Sequence, residues 1–140
     1  MMLQERDRQV VRKRLERLDK PIRLINFTQE LECEFCRETR MLLEEVTALS
    51  DKVSLEVYNF QTDRQERDAF QIDKIPATVI MGEKDYGIRY YGVPSGYEFA
   101  SLLETMLLIS GGDSGLAQET RRRLAQLDKP LHLEVFVTPT

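Results

Sequence analysis

The sequence predicts one α/β domain built on a mixed sheet, and three observations carry that expectation. Apolar residues recur at helical spacing in several longer segments, as at Leu42, Val46 and Leu49. Short apolar or alternating runs, Ile22–Phe27 and Val53–Tyr58, lie between those segments, so a strand, a helix and a second strand follow one another. A later apolar run, ending at Ile80, turns at Gly82-Glu83-Lys84-Asp85 and comes back as Tyr86–Tyr91, the pattern of an antiparallel hairpin. The length of 140 residues fits one domain, and 41% apolar content suffices for a single core.

Taken in order, Leu3–Leu18 carries Val11, Leu15 and Leu18 at i, i+4 and i+7, which predicts a helix with one apolar stripe. Its arginines are interleaved with Glu5, Asp7 and Glu16, so they form a solvated face and not a nucleic-acid patch. Asp19-Lys20-Pro21 ends this helix. Ile22–Phe27 is an interior strand, and the helix that follows, about four turns long, ends at Ser50-Asp51. Val53, Leu55 and Val57 then alternate with polar neighbours in a strand parallel to the first, joined to it through a crossover that is right-handed by default. Asp63 and Glu66 stand at capping-box spacing and open a short helix through Phe70.

Pro76 precedes the next strand instead of interrupting it, and the residues alone favour the common trans form of the Ile75–Pro76 bond. After the hairpin, Gly92-Val93-Pro94 breaks the strand. Ser95 and Glu98 make a second capping-box pair, and Phe99, Leu102, Leu103 and Met106 give Gly96–Ile109 an apolar stripe for the core. The order is βαβαββα after an extra N-terminal helix.

Charge excludes some functions. Twenty Lys and Arg against 24 Asp and Glu leave a net charge of -4, which offers no general attraction to nucleic acid or an anionic membrane. The first residues lack the apolar core of a secretory signal, and no run approaches the roughly 20 apolar residues of a membrane span. A cytoplasmic location is therefore expected.

The two cysteines stand in Leu31-Glu32-Cys33-Glu34-Phe35-Cys36-Arg37, where a strand gives way to a helix. Two thiols three residues apart beside a βαβ pattern in a reducing compartment read as a dithiol/disulfide pair. At a helix start, that spacing turns both sulfurs to one side. Cys33, at or just before the helix, meets free N–H groups and the positive end of the helix dipole, which favour a thiolate. It is the expected attacking sulfur, and Cys36 the resolving one. Glu32 and Glu34 oppose that bias, while Arg37 and Arg40 partly offset them. Structural zinc wants four ligands, and the only histidine is the distant His132, in a predicted strand, so no metal site is expected within one chain. Two chains sharing zinc or an iron–sulfur cluster through Cys33 and Cys36 is the weaker alternative, which an absorbance spectrum would reveal in the cluster case.

A repeat marks the C-terminal part. Arg121–Phe136 repeats Arg12–Phe27 without a gap, Phe136 matching Phe27 at an offset of 109, with Leu-x-x-Leu-Asp-Lys-Pro common to both. So long an offset indicates a duplicated domain and not a solenoid. Residues 1–110 are expected as one unit, 111–115 as a Gly-rich linker, and 116–140 as the opening helix and strand of a second unit. A lone strand leaves an unpaired edge, so Leu131–Val137 is expected to pair with the first unit's sheet or with a neighbouring chain, as a homodimer or by strand exchange.

Cys33-Glu34-Phe35-Cys36 at a helix start, Ile75-Pro76-Ala77-Thr78 before a hairpin and Arg89-Tyr90-Tyr91-Gly92-Val93-Pro94-Ser95-Gly96 after it resemble the glutaredoxin-like protein disulfide oxidoreductases of archaea and thermophilic bacteria. The likeness covers essentially the whole chain. It implies a thioredoxin-like fold, two units in tandem, and a cis Ile75–Pro76 bond opposite the cysteines. There the backbone of Ile75, with Pro76, would hold an extended substrate, and Phe35 and Tyr91 would form an apolar rim. It implies no cofactor beyond the dithiol itself, protein disulfides as substrates and a thioredoxin-reductase-like flavoprotein as donor. The chain departs from thioredoxins proper at Asn26, where they carry an Asp that assists proton transfer, and in lacking Gly-Pro between the cysteines.

Two functional readings follow. In the first, Cys33 attacks a substrate disulfide and Cys36 resolves the mixed disulfide. In the second, the chain is an electron relay or docking domain between a flavin-dependent reductase and a peroxidase or the second unit. Turnover of insulin by the isolated domain separates them.

Overall fold

The computed structural model describes residues 2–138, and within them the chain runs through α1 (Glu5–Leu15), β1 (Ile22–Thr28), α2 (Cys36–Thr47), β2 (Val53–Asn59), α3 (Arg64–Ala69), β3 (Ala77–Met81), β4 (Arg89–Tyr91), α4 (Tyr97–Gly111) and α5 (Gln118–Leu124). The sheet order is β2-β1-β3-β4. β1 pairs in parallel with β2 from Ile22↔Val53 to Thr28↔Asn59, and antiparallel with β3 from Arg23↔Met81 to Phe27↔Ala77. β3 and β4 close the antiparallel hairpin. This is the expected mixed sheet.

The two-residue alternation of β1 divides the core. Ile22 and Leu24 point to the face covered by α1, α2 and α4, where they pack with Val11, Leu15, Leu43, Val46, Ile80, Leu102 and Met106. Ile25 and Phe27 point to the opposite face, with Ile72, Ala77, Val79 and Met81, and the rings of Tyr58 and Phe70 stand 5.5 and 6.0 Å from that of Phe27. Each such buried aliphatic or aromatic side chain contributes roughly 1.5–3 kcal/mol. One buried hydroxyl fastens the layer edges: Ser110 near the end of α4 accepts the N–H groups of Asp19 and Lys20 and donates to the Lys20 carbonyl, all at 2.7 Å.

Several boundaries differ from expectation for local physical reasons. α1 stops at Leu15, and Leu18 reaches the core from a tighter turn closed by Leu18 N–H to the Leu15 carbonyl, 3.0 Å. Neither capping box forms. The Asp63 carboxylate accepts the N–H of Asn59 at 2.6 Å, on the incoming chain, and the cap of α4 is Gly96, whose φ of 63° with ψ of -132° suits glycine alone. The return strand is only Arg89–Tyr91, because Asp85 accepts the Gly87 N–H at 2.9 Å and folds the preceding residues into a turn. α4 runs on to Gly111 and ends at a left-handed Gly112, so it enters the expected linker. The Ile75–Pro76 bond is cis, as the resemblance implies and against the trans form the residues alone favour.

The repeated segment forms its helix but not its strand. Residues 131–137 join no sheet, and Leu133, Val135 and Phe136 are exposed, whereas their counterparts Leu24, Asn26 and Phe27 are fully buried in β1. The first copy lies between two partner strands and the second between none, which leaves its backbone groups to solvent. Pairing with the first unit's sheet is thus absent among the described residues. Pro139 and Thr140, the last two positions of the expected second-unit segment, lie outside them.

α3 ends in a Schellman motif: Ile72 N–H bonds the Arg67 carbonyl at 3.0 Å, Gln71 N–H bonds that of Asp68 at 3.1 Å, and Gln71 takes a left-handed φ of 58°. A side chain there opposes the conformation by about 1–2 kcal/mol, of which glycine's extra unfolded-state freedom returns roughly half. Gln71→Gly should therefore raise stability by about 0.5–1 kcal/mol, read as a higher urea midpoint at unchanged slope.

Candidate functional site

The site is assembled at one end of the sheet. β1 ends at Thr28, and the chain passes through residues 29–35 before entering α2. Glu32, directly before the first cysteine, is left-handed at φ 56°, an uncommon conformation for a residue with a side chain. Cys33 and Cys36 form a disulfide with Cα atoms 5.5 Å apart. Cys36 is the first residue of α2 and only 1% exposed, while Cys33 is half-buried, three residues earlier. The bridge thus spans the Glu34-Phe35 turn leading into the helix and joins a partly exposed cysteine to a buried one. The Phe35 carbonyl accepts both the N–H of Thr39 at 3.1 Å and its hydroxyl at 2.8 Å, fixing the first turn. The Phe35 side chain is left 47% exposed.

The second half comes from β3 and β4. Antiparallel pairing of Phe27 with Ala77 puts Pro76 beside the end of β1, from which the cysteine loop departs. Pro76 is buried and Ile75 half-buried, packed with the α3-side core. Gly92 N–H donates to the Pro76 carbonyl at 2.9 Å, and Tyr91 pairs with Ala77, so Ile75, Pro76 and Tyr91 form one group. The Lys74 ammonium sits 4.5 Å from the Tyr91 ring centroid. Burial first, and the Asp73 carboxylate second, push the Tyr91 hydroxyl above its ordinary pKa, so it stays protonated. Among the described residues no ring contact joins Phe35 to Tyr91; they belong to the two separate halves of this end of the sheet.

Three supporting side chains were not apparent from sequence. Arg89 forms a bidentate pair with Asp85 at 2.8 and 2.7 Å and donates from Nε and Nη2 to the Phe70 carbonyl at 3.3 and 3.1 Å, tying the hairpin to the end of α3. Lys74 is the third. The four-residue spacing of Asp85 and Arg89 was visible, but in a predicted turn and strand it carries no helical pairing rule. His132 is exposed, 2.8 Å from Glu134, and outside any strand. Among the described residues no cluster of three or more His, Cys, Asp or Glu could hold a metal ion, and no helix is long and apolar enough to cross a membrane.

No protein-family model matches the chain. An alkyl hydroperoxide reductase of the AhpF kind, from Xanthomonas campestris pv. phaseoli, is 33% identical over 122 residues, 87% of this chain and 21% of that protein. The chain thus spans about a fifth of the length of the curated relatives it matches. A protein disulfide oxidoreductase from Aeropyrum pernix superposes with a TM-score of 0.90 at 26% identity, over 99% of this chain and 61% of that one. The N-terminal domain of the alkyl hydroperoxide reductase AhpF from Enterococcus faecalis superposes at 0.79 and 25% identity, over 91% of this chain and 62% of that one. A thioredoxin from Halobacterium salinarum, at 14% identity, 0.52 and 64% of this chain against 78% of that one, shows the likeness of fold.

Hydrogen bonds from Arg89 hold the Asp85 carboxyl below its ordinary pKa of 3.8, with the Gly87 N–H adding to the effect against partial burial. A carboxyl lowered on folding contributes stability that is complete above its unfolded value and lost as pH falls through the folded one. Asp85→Asn should accordingly be less stable than the parent at neutral pH, and the gap should close as the pH is taken below about 3.8. Urea midpoints of both proteins down the acid limb check this.

Proposed function

We propose that this glutaredoxin-like, thioredoxin-fold chain transfers electron pairs between its own dithiol and protein disulfides. Thiol–disulfide exchange is supported by the Cys33–Cys36 bridge and by the likeness to a disulfide oxidoreductase. The observation that carries the finer reading is the asymmetry of the bridge, which joins a partly exposed Cys33 to a buried Cys36 on a turn at the same end of the sheet as the cis Ile75–Pro76 peptide.

In this reading the Cys33 thiolate attacks one sulfur of a substrate disulfide and expels the other as a thiolate that takes up a proton. Cys36, after giving up its own proton, attacks Cys33 in the mixed disulfide; the Cys33–Cys36 bond forms and the second substrate thiol leaves. Two electrons have passed from protein to substrate. Only an accessible attacking sulfur can meet a protein substrate, and a buried resolving sulfur is shielded from competing thiols. The Ile75 backbone, Pro76 and the rings of Phe35 and Tyr91 would dock an extended substrate segment. No further cofactor is required by these steps. Residues 1–110 would be the working unit, 111–115 a linker and 116–140 the opening of a second, with a flavoprotein reductase of the thioredoxin-reductase kind regenerating the dithiol in the cytoplasm.

A second reading is favoured by one finding: the curated relatives are alkyl hydroperoxide reductase components and an NADH dehydrogenase. Here the same dithiol would relay electrons from a flavin-dependent reductase toward a peroxidase, with little turnover of free protein disulfides.

Cys33→Ser should abolish insulin reduction with dithiothreitol as electron source, whereas Cys36→Ser should accumulate a mixed disulfide visible by non-reducing electrophoresis and mass. A parent chain whose bridge cycles, yet leaves insulin intact and accepts electrons from a flavoprotein reductase, would favour the relay. The reduction potential gives the direction: near about -270 mV it suits a reductase or relay, and tens of millivolts higher an oxidase or isomerase. A bridge that never cycles would remove both readings.

A further inference from the structure

The residues around the attacking cysteine alternate in a way the exchange steps do not use. Glu30, Leu31, Glu32, Cys33, Glu34 and Phe35 follow one another, acidic and apolar side chains taking turns on either side of the sulfur. The three glutamates are exposed, and among the described residues no hydrogen bond or ion pair engages their carboxylates. Leu31 is 77% exposed and Phe35 47%, so the apolar members are open as well. Glu32 and Glu34 are the covalent neighbours of Cys33, about 3.8 Å away at Cα, and Glu30 is at most about 11 Å away. That is close to one Debye length in about 0.1 M salt.

Opposing charge nearby is scarce. From Gln29 to Thr39 the chain carries four carboxylates, Glu38 being the fourth, against the one guanidinium of Arg37. Arg40 is held by Glu44 at 2.9 Å. On the docking side Lys74 is paired with Asp73 at 3.0 Å and Arg89 with Asp85 at 2.7 Å, so neither brings net positive charge. The first turn of α2 adds only about half a unit of positive charge. The surroundings of Cys33 are negative on balance and include two open apolar side chains.

We infer that this collar selects the substrate: Cys33 exchanges with disulfides flanked by basic and apolar residues and discriminates against anionic ones. The bridge is what brings a substrate here; the carboxylates decide which substrate it meets. A Lys or Arg beside the incoming disulfide is drawn to Glu30, Glu32 and Glu34, while an apolar neighbour covers Leu31 or Phe35. A carboxylate in the same place meets like charge. Such a field acts on the encounter and is screened by salt. The three glutamates determine specificity and take neither proton nor electron in the reaction.

The inference rests on the exchange reading above and deepens it by naming a substrate class. The probes are three disulfides with the same two-carbon arms: cystamine, with an ammonium at each end, hydroxyethyl disulfide, which is neutral, and dithiodipropionate, with a carboxylate at each end. Protein reduced by dithiothreitol, and then freed of it, is mixed with each. The Cys33 thiolate bonds to one sulfur of the probe, the probe's S–S bond breaks, and its other half leaves as a thiolate that takes up a proton. Cys36 gives up its proton and closes the bridge, the second half leaves likewise, and two electrons have passed to the probe. Each rate is divided by that of the same probe with free dithiothreitol, whose thiolate bears the same charge, so that differing leaving-group acidities cancel.

In about 20 mM salt the normalised rates should fall from cystamine through the neutral probe to dithiodipropionate, spanning on the order of tenfold. In about 1 M salt they should converge to within about twofold. Combining Glu30→Gln, Glu32→Gln and Glu34→Gln should bring the low-salt span within about threefold. One thiolate attacks every probe, so a change in its acidity cancels from the span. Arg37→Gln should have the reverse effect and widen it. A parent span within about twofold at low salt, or a span unchanged in the triple variant, would overturn the inference. A reduced parent that is oxidised by none of the probes would instead overturn the exchange reading itself.

Discussion

The structure depends on the pairing of one strand with two others. β1 takes β2 in parallel on one side and β3 antiparallel on the other, and its alternating side chains anchor both halves of the core. This double pairing also makes the end that carries the disulfide. The parallel partner requires a crossover, which sends the chain from the end of β1 into the cysteine turn and α2. The antiparallel partner begins where β1 ends and so delivers Pro76 to the same place. Two segments about forty residues apart in sequence meet there because of hydrogen-bond register, before any side chain of the site contributes.

Polar groups then decide how rigidly the site is held. Arg89 reaches both Asp85 and the Phe70 carbonyl, so a three-residue strand that could scarcely hold itself is clamped at its base. Phe35 contributes its carbonyl to the first turn of α2 while its ring faces solvent, serving the helix and the surface with different atoms. Asn26 and Thr78 stand apart from these, being buried without full satisfaction. A core selected for stability alone would have apolar residues there.

The order of elements along the chain, the parallel β1–β2 pair, the β3–β4 hairpin, the cysteine turn at the entrance to α2 and the placement of Pro76 before β3 were legible in the sequence, because each follows from periodicity, proline chemistry or spacing; the antiparallel seam between β1 and β3, which joins strands far apart in the chain, was not. The helix caps were not. Asp63 and Ser95 have the right neighbours at the right distance, yet the first carboxylate found a nearer donor and the second helix starts from a glycine. Arg89 was illegible for a simpler reason: an arginine's reach spans many partners and its sequence position names none. The repeat gives the sharpest case. Leu24 and Leu133 occupy the same place in matching sequences, but only the one with neighbours on both sides lies in a strand. Apolar alternation expresses a need for burial, and tertiary context decides whether it is met.

The Ser110 hydroxyl has a mechanical meaning. Its three bonds join the turn that follows α1 to the last turn of α4, so the entry and exit of the unit are stitched at one corner. Force applied along the chain at Gly112 meets this stitch and the α1–α4 layer before it meets β1 or the cysteine turn. A pull on chain attached beyond Gly112 would therefore be taken up at this corner, while the disulfide-bearing end, at the opposite end of β1, would keep its shape.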